Sequence, residues 1–233
     1  MRQIPLGIRL RDSAVFDTFF AGPNAAALDY LQSLASGSAS AGAWLWGLPS
    51  TGKSHLLQAV CAAANDSGLE SVYLPMADLR EIGAGALEGW GDQQLLALDD
   101  FDLVAGDEGF EQGVFRLFNE LTEHHGRMLI ATTEAPASLD IRLPDLASRL
   151  AAGVVFQLVP LDDAARVNAL RLRASHRGLQ LPDETAQFLL RRLPRDMASL
   201  YDWLDRLDTA SLEAKRRLTV PFVRDVLGGV DKA

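Results

Sequence analysis

The chain has 233 residues, 48% of them hydrophobic, and no apolar run approaches the ~18 residues of a membrane span or the core of a secretory signal, so we expect a cytoplasmic globular protein. Its formal net charge is −9, and the charge is unevenly distributed. Residues 1–160 contain 9 Lys and Arg and 20 Asp and Glu, whereas residues 161–233 contain 13 Lys and Arg and 11 Asp and Glu. The acidic first part argues against broad non-specific DNA binding, which depends on cations that neutralise phosphates.

The first predicted strand, Ala43–Trp46, leads into the most specific motif of the chain. Gly47–Ser54 reads GLPSTGKS and fits G-x-x-x-x-G-K-[ST], the phosphate-binding loop of nucleoside triphosphate proteins. Glycines let the backbone wrap the phosphates at a helix N-terminus, while Lys53 reaches the outer phosphates and the Ser54 hydroxyl meets Mg²⁺. The predicted nucleotide contacts of this segment are Pro49, Ser50, Thr51, Gly52, Lys53, Ser54 and His55.

The helix that follows the loop opens with Ser54–Cys61 and carries apolar residues at helical spacing. Cys61 is the single cysteine, so an internal disulfide and a zinc site built from cysteines are excluded, and its place on the apolar side predicts core packing. Four later apolar segments read as strands: Ser71–Leu74, Gln94–Leu98, Arg127–Thr132 and Val154–Leu158. A helical stripe from Phe110 to Leu121 separates two of them. Alternating strands and helices predict a parallel five-stranded sheet with helices on both faces.

After Pro160 the pattern contains helices alone, so we expect a small all-α lid domain over residues 161–233, behind an α/β domain over residues 13–160. The predicted helices are Asp162–His176, Asp183–Leu193, Asp196–Leu212 and Pro221–Leu227.

Polar residues end two of the predicted strands at the edge where the loop lies. Asp99 is the predicted Mg²⁺-side carboxylate, and Asp100 is the candidate for polarising an attacking water. Many hydrolases of this architecture have a longer Glu at the position of Asp100, so we expect hydrolysis that is slow or depends on a partner. Thr133 or Glu134 would hydrogen-bond the water or sense the outer phosphate, from a strand placed between those of the loop and of Asp99.

Together these features resemble the AAA+ ATPase module of the DnaA replication-initiator family. The resemblance rests on the loop, on Leu95–Asp100, on Thr133-Glu134, on Leu143–Leu150 and on the helical lid. It implies that Arg149 is an arginine finger offered to nucleotide on a neighbouring subunit. It also implies that Arg195 is the lid arginine that touches bound nucleotide, and that Val15–Gly22 borders the adenine.

The chain is expected to end where the lid ends, without a DNA-binding domain, so it is similar to the short Hda-type members of this family. That resemblance implies a negative regulator of replication initiation that is held on the DNA polymerase sliding clamp and promotes hydrolysis of ATP bound to DnaA. Residues 1–12 would be the clamp-binding peptide, with Gln3 in a polar pocket and Leu6 or Ile8 in an apolar one. Such a protein would contact DNA only through the clamp and would lie at the nucleoid.

The resident nucleotide, ADP or ATP, stays open, because both present the same β-phosphate to Lys53, and so does the oligomeric state. Two alternatives also stay open. One is an AAA+ motor of the helicase-loader type that hydrolyses its own ATP. The other is a protein of related fold that recruits DnaA rather than inactivating it.

Overall fold

The computed structural model describes residues 14–230, with side chains through residue 228. The described chain divides into two compact units. Residues 14–16 and 24–159 form an α/β unit, whereas residues 17–23 and 160–230 form a helical unit.

The α/β unit is built on a sheet of five parallel strands in the order β2-β3-β4-β1-β5. The strands are β1 (Ala43–Trp46), β2 (Ser71–Pro75), β3 (Leu95–Asp99), β4 (Arg127–Thr132) and β5 (Val154–Gln157). The predicted parallel sheet is confirmed, and β1 and β4 have the predicted bounds. β2 extends to include Pro75, β3 lies one residue later than predicted, and β5 is one residue shorter. As expected, β4 lies between β1 and β3.

Five α-helices pack in this unit. They are α1 (Ala25–Ala35), α2 (Lys53–Asp66), α3 (Met76–Ile82), α4 (Glu108–Glu123) and α5 (Pro144–Leu150). α2 and α4 were expected from their apolar stripes, whereas α1, α3 and α5 were not predicted. α3 and α5 have only seven residues each, so neither completes the repeated apolar stripe that marks a helix in sequence. α1 does carry such a stripe, with Ala27, Leu31 and Leu34 buried.

The core of the α/β unit lies on both faces of the sheet. The inner strand β3, which lies between β2 and β4, is buried along its whole length because helices cover it on both sides. Its sequence is accordingly a continuous apolar run up to Asp99. Cys61 of α2 is buried in this unit as expected, and burial raises the pKa of its thiol to about 12. The thiol is therefore protonated at neutral pH and acts as a small apolar side chain.

A buried carboxylate connects α4 to the segment that starts α5. Glu111 is 1% exposed, and its carboxylate accepts hydrogen bonds from three backbone N–H groups. These belong to Gly106 at 2.7 Å, Arg142 at 3.0 Å and Leu143 at 2.8 Å. Leu143 is the N-cap residue of α5. Glu111 therefore fixes the N-cap residue of α5 against α4, since three converging bonds leave little freedom of rotation.

We expect Glu111→Ala to lower the free energy of unfolding by about 3 kcal/mol, because three backbone N–H groups lose their shared buried acceptor at once. Denaturant unfolding followed by circular dichroism measures the change. Glu123→Ala is the matched control, because Glu123 is an exposed residue at the end of the same helix, and it should shift stability by less than about 0.5 kcal/mol. Equal stabilities of the two variants would contradict the anchoring role of Glu111.

The helical unit contains α6 (Asp163–His176), α7 (Asp183–Arg192), α8 (Met197–Ala214) and α9 (Val220–Val230). All four were predicted to within three residues at each end. Asp162 and Asp196 precede α6 and α8 as caps, and their carboxylates accept from Ala165 N–H at 2.7 Å and from Ser199 N–H at 2.8 Å. The buried core of this unit is formed mainly by leucines, among them Leu170, Leu189, Leu200, Leu204 and Leu207. Within residues 14–230, the helices are too short or too polar to cross a bilayer.

Candidate functional site

The phosphate loop of the motif connects the end of β1 to the start of α2. Gly47 lies where the loop leaves the strand, and a Cβ there would come 2.5 Å from the carbonyl oxygen of Leu158. A larger residue would therefore displace the backbone. Lys53 is buried, and its Nζ donates to the carbonyls of Gly47 at 2.7 Å and Leu48 at 3.2 Å. The ammonium group thus lies in the centre of the loop, as the motif predicted.

The first turn of α2 opens toward this loop. Its N-cap residue is Gly52, which has a left-handed backbone (φ 98°) and no side chain that caps the helix. The first backbone bond of α2 joins Leu56 N–H to the Gly52 carbonyl at 3.0 Å, so the preceding N–H groups of the helix have no acceptor within it. An ammonium group, helix N–H groups and the Ser54 hydroxyl in one loop are the donor set that binds nucleotide phosphates. The residues present therefore fit a nucleotide.

Three carboxylates gather at the same edge of the sheet. Asp99 ends β3 and is 2% exposed. Asp100 follows with a left-handed backbone, and Asp102 lies on the short 3-10 helix Phe101–Leu103. Burial raises the pKa of Asp100, and the charges of Asp99 and Asp102 raise it further, while Lys53 opposes the shift. The structure thus brings Asp99 and Asp100 to the loop, as the sequence predicted.

Burial and the three carboxylates shift the pKa of Lys53 in opposite directions. Burial lowers the pKa of its ammonium, and the carboxylates of Asp100, Asp99 and Asp102 raise it in turn. Within residues 14–230, no group of three or more His, Cys, Asp or Glu side chains could hold a metal ion. Mg²⁺ usually takes one or two carboxylates together with phosphate oxygens, and Ser54 with Asp99 would supply the protein's share beside a bound nucleotide.

The end of β4 is held beside these carboxylates by two sets of hydrogen bonds. Thr133 N–H donates to Asp102 Oδ1 at 3.3 Å. Trp44 Nε1 donates to Thr132 Oγ1, which donates to the Glu134 carbonyl, both at 2.7 Å. Thr133 therefore lies at the acidic edge as expected. The Glu134 side chain is exposed, and its described bond is made by its backbone carbonyl.

The sequence reasoning missed two residues of the site, Asp102 and Tyr73. The signal for Asp102 was its nearness in sequence to Asp99 and Asp100, since it lies on the 3-10 helix that follows them. Tyr73 is a polar residue of β2, and its hydroxyl donates to Asp99 Oδ2 at 2.6 Å. Its contact with Asp99 depends on the register of β2 and β3. That register places Tyr73 opposite Ala97, and Ala97 lies two residues before Asp99 on the same face of the sheet.

Two further predicted nucleotide contacts, His55 and Arg195, have described partners within their own units. A ring nitrogen of His55 lies 2.9 Å from the Val15 carbonyl, so this side chain links α2 to the start of the predicted adenine-bordering segment. Arg195 belongs to the helical unit, where its Nη1 lies 3.3 Å from Asp163 Oδ2. Gln3, Leu6 and Ile8, the predicted clamp contacts, lie outside the described residues.

Arg149 lies at the opposite edge of the sheet from the phosphate loop. It is an exposed residue near the end of α5, five residues before β5 begins at Val154, whose N–H bonds to the Gly42 carbonyl before β1. β1 has four residues, so about 13 Å of strand separates this edge from the loop. The Arg149 guanidinium lies 5.4 Å from the Phe115 ring centroid and 5.7 Å from that of Phe118. Its described partners are aromatic rings rather than a carboxylate.

Arg149 also lines a surface cavity of about 250 Å³ at this edge. The cavity is bordered by the starts of β1 and β4 and by the ends of α4 and α5, and its charged lining residues are Arg127 and Arg149. The cationic side chain of Arg149 therefore lies at the edge remote from the protein's own phosphate loop.

Comparison with known proteins identifies the two parts of the chain. Residues 163–227 match the family model described as the Hda lid domain. Domain III of the replication initiation protein DnaA from Thermotoga maritima superposes with a TM-score of 0.79 and 21% identity, covering 95% of this chain and 98% of that chain. AMPPCP-bound DnaA from Aquifex aeolicus gives a TM-score of 0.73 and 23% identity over 88% of this chain and 68% of that one.

Solved structures with lower sequence identity share the same fold. The RuvB Holliday junction branch migration motor of Thermotoga maritima superposes with a TM-score of 0.58 and 14% identity, over 90% of this chain and 67% of that one. Most of the chain thus has the fold of domain III of DnaA, and its helical part matches the Hda lid domain model.

Proposed function

We propose that this protein is a nucleotide-bound regulator of replication initiation that promotes hydrolysis of ATP held by the initiator DnaA. The observation that carries the proposal is the position of Arg149. A finger that serves another subunit must lie away from the phosphate loop of its own chain, and Arg149 lies at the opposite edge of the sheet. An exposed guanidinium there stabilises negative charge that develops on a phosphoryl group of the partner.

The protein's own nucleotide, ADP or ATP with Mg²⁺, would then act mainly as a structural ligand. Lys53 and the first turn of α2 bind its phosphates, and Ser54 with Asp99 holds the metal side. Bound Mg²⁺ neutralises phosphate charge. Arg195 of the lid would contact the same nucleotide; within the helical unit its Nη1 lies 3.3 Å from Asp163 Oδ2, and both side chains are exposed. The Hda lid match supports this assignment, because it concerns the part of the chain that carries Arg195.

A second candidate is a motor that hydrolyses its own ATP. The observation that favours it is the acidic edge beside the loop, where Asp100 and Thr133 lie as a general base and a water-orienting group would. The likeness to the RuvB motor is in keeping with such chemistry. A related protein that only recruits DnaA would carry the same fold but would leave the nucleotide on DnaA unchanged.

A reconstitution with single omissions tests the proposal. Purified protein, sliding clamp loaded on DNA, and DnaA carrying radiolabelled ATP are mixed, and conversion of the bound ATP to ADP is followed. We expect rapid conversion in the complete mixture and the basal rate when the protein or the clamp is omitted. Turnover of free ATP that is stimulated by single-stranded DNA and indifferent to the clamp would support the motor instead.

The clamp connection is tested separately with the N-terminal peptide. We expect Gln3→Ala combined with Leu6→Ala to weaken clamp binding by at least about ten-fold, because an extended peptide docks through a few side chains. Surface plasmon resonance on immobilised clamp measures the affinity. The thermal unfolding temperature should stay unchanged, since terminal residues contribute little to a core. If the double variant binds the clamp as tightly as the parent, this peptide is not the anchor, whether Leu6 or Ile8 is taken as the apolar contact.

A further inference from the structure

Tyr73 connects the carboxylate at the end of β3 to the helix that follows the phosphate loop. Its hydroxyl donates to Asp99 Oδ2 at 2.6 Å and is also hydrogen-bonded to the side chain of Gln58 on α2. Gln58 lies one turn after Ser54, so the two side chains project from the same side of α2. Tyr73 therefore bridges the two elements that carry Ser54 and Asp99.

The bond to Tyr73 completes the fixation of the Asp99 carboxylate. Its other oxygen, Oδ1, accepts from Asp100 N–H at 3.1 Å, so each oxygen has one donor and the plane of the carboxylate is set. Because Asp99 is 2% exposed, solvent does not replace either donor.

Strand register explains why a tyrosine reaches this carboxylate. Tyr73 pairs with Ala97, and Pro75 pairs with Asp99. Tyr73 and Asp99 are thus diagonal neighbours on one face of the sheet, a separation that a long aromatic side chain spans and a short one does not. The same face is covered by α2, which brings Gln58 to the hydroxyl.

We propose that Tyr73 is a positioning residue that fixes the Asp99 carboxylate relative to the Ser54 hydroxyl. It thereby determines how strongly Mg²⁺ is bound in the nucleotide complex. The inference rests on the proposed nucleotide binding but not on any action upon DnaA. Residues that orient a metal ligand typically change metal affinity by about 10- to 100-fold when they are removed. The phenol would act only through Asp99, because its oxygen is already engaged as a donor to the carboxylate.

Tyr73→Phe tests the inference, since it removes one hydroxyl and keeps the ring. ADP affinity is measured by equilibrium dialysis in EDTA and again across a Mg²⁺ titration, and the ratio gives the coupling between metal and nucleotide. We expect ADP affinity in EDTA within about two-fold of the parent and a Mg²⁺ affinity of the ADP complex that is about ten-fold weaker. A purely structural tyrosine would instead weaken ADP binding equally with and without the metal.

Two further variants serve as references for this experiment, one expected to keep the Mg²⁺ coupling and one expected to lose more of it. Tyr30→Phe is the matched control, because its hydroxyl donates to the Ala41 carbonyl at 2.9 Å, at the other edge of the sheet, and it should keep the parental Mg²⁺ coupling. Asp99→Asn should lose more coupling than Tyr73→Phe. If Tyr73→Phe keeps the parental coupling between Mg²⁺ and ADP while Asp99→Asn loses it, the positioning role of Tyr73 is overturned and the metal assignment of Asp99 stands. A parent protein with no Mg²⁺ coupling would overturn it together with the metal assignment, while stimulation of DnaA would still be decided by the reconstitution.

Discussion

Arg149→Ala should reduce stimulated hydrolysis of DnaA-bound ATP by at least about 100-fold, because arginine fingers contribute ~10³ to 10⁵ in rate. The variant should keep its fold, its own nucleotide and its clamp binding, since Arg149 is exposed and lies at the edge remote from its own phosphate loop. The measurement is turnover of DnaA-bound ATP at saturating variant protein and loaded clamp. A rate above about a third of the parental one would rule out a finger of ordinary size.

Arg116→Ala is the matched control for this prediction. Arg116 is an exposed arginine of α4, and its Nη2 lies 4.0 Å from an exposed carboxylate oxygen of Glu88. Exposed pairs of this kind contribute little, so we expect stimulated hydrolysis within about two-fold of the parent. If Arg149 instead served the stability of its own chain, its loss would lower the unfolding temperature while stimulation per folded molecule stayed near the parental value.

Lys53→Ala should weaken binding of ADP and ATP by about 10- to 100-fold, because a charged hydrogen bond to phosphate contributes about 1.5–3 kcal/mol. The structure sharpens this expectation. Lys53 is buried at the centre of the loop, where Gly47 and Leu48 carbonyls hold its ammonium ready for a phosphate. Equilibrium dialysis with both nucleotides measures the affinities.

Lys53→Met separates the charge from the packing of the side chain. Methionine keeps most of the buried stem but supplies neither the charge nor the donors. We therefore expect Lys53→Met to lose nearly as much nucleotide affinity as Lys53→Ala, while it unfolds closer to the parent when nucleotide is absent. Unchanged affinities in both variants would contradict the phosphate-loop assignment, and with it the metal site of Ser54 and Asp99.

The strands of the sheet were predictable because each is a short apolar run bounded by glycine, proline or polar residues. β1 and β4 were placed to the residue, and the third strand, predicted over Gln94–Leu98, lies one residue later, at Leu95–Asp99. The seven-residue helices α3 and α5 were missed because two turns give too few positions for a period of 3.6 residues to emerge. Their helical form depends on packing against the rest of the unit.

The candidate site likewise contains residues that local sequence predicted and residues that only the folded structure brings together. Gly47, Gly52, Lys53 and Ser54 lie within eight consecutive residues, and Asp99 is the last residue of its strand, so local spacing alone predicted that they act together. Tyr73 and Asp99 are 26 positions apart, and Asp102 and Thr133 are 31 apart. No local pattern joins such pairs, because the order and register of parallel strands decide which of them meet.

By itself, the sequence determined the phosphate loop, the acidic strand end and the change from an α/β to a helical pattern, since these depend on short-range geometry of the backbone. The tertiary structure alone decided that Tyr73 holds Asp99, that Glu111 anchors the start of α5, and that Arg149 lies against two aromatic rings at the far edge of the sheet. The physical reason is that hydrogen bonds and ring contacts form only between side chains that the folded sheet brings within a few ångströms.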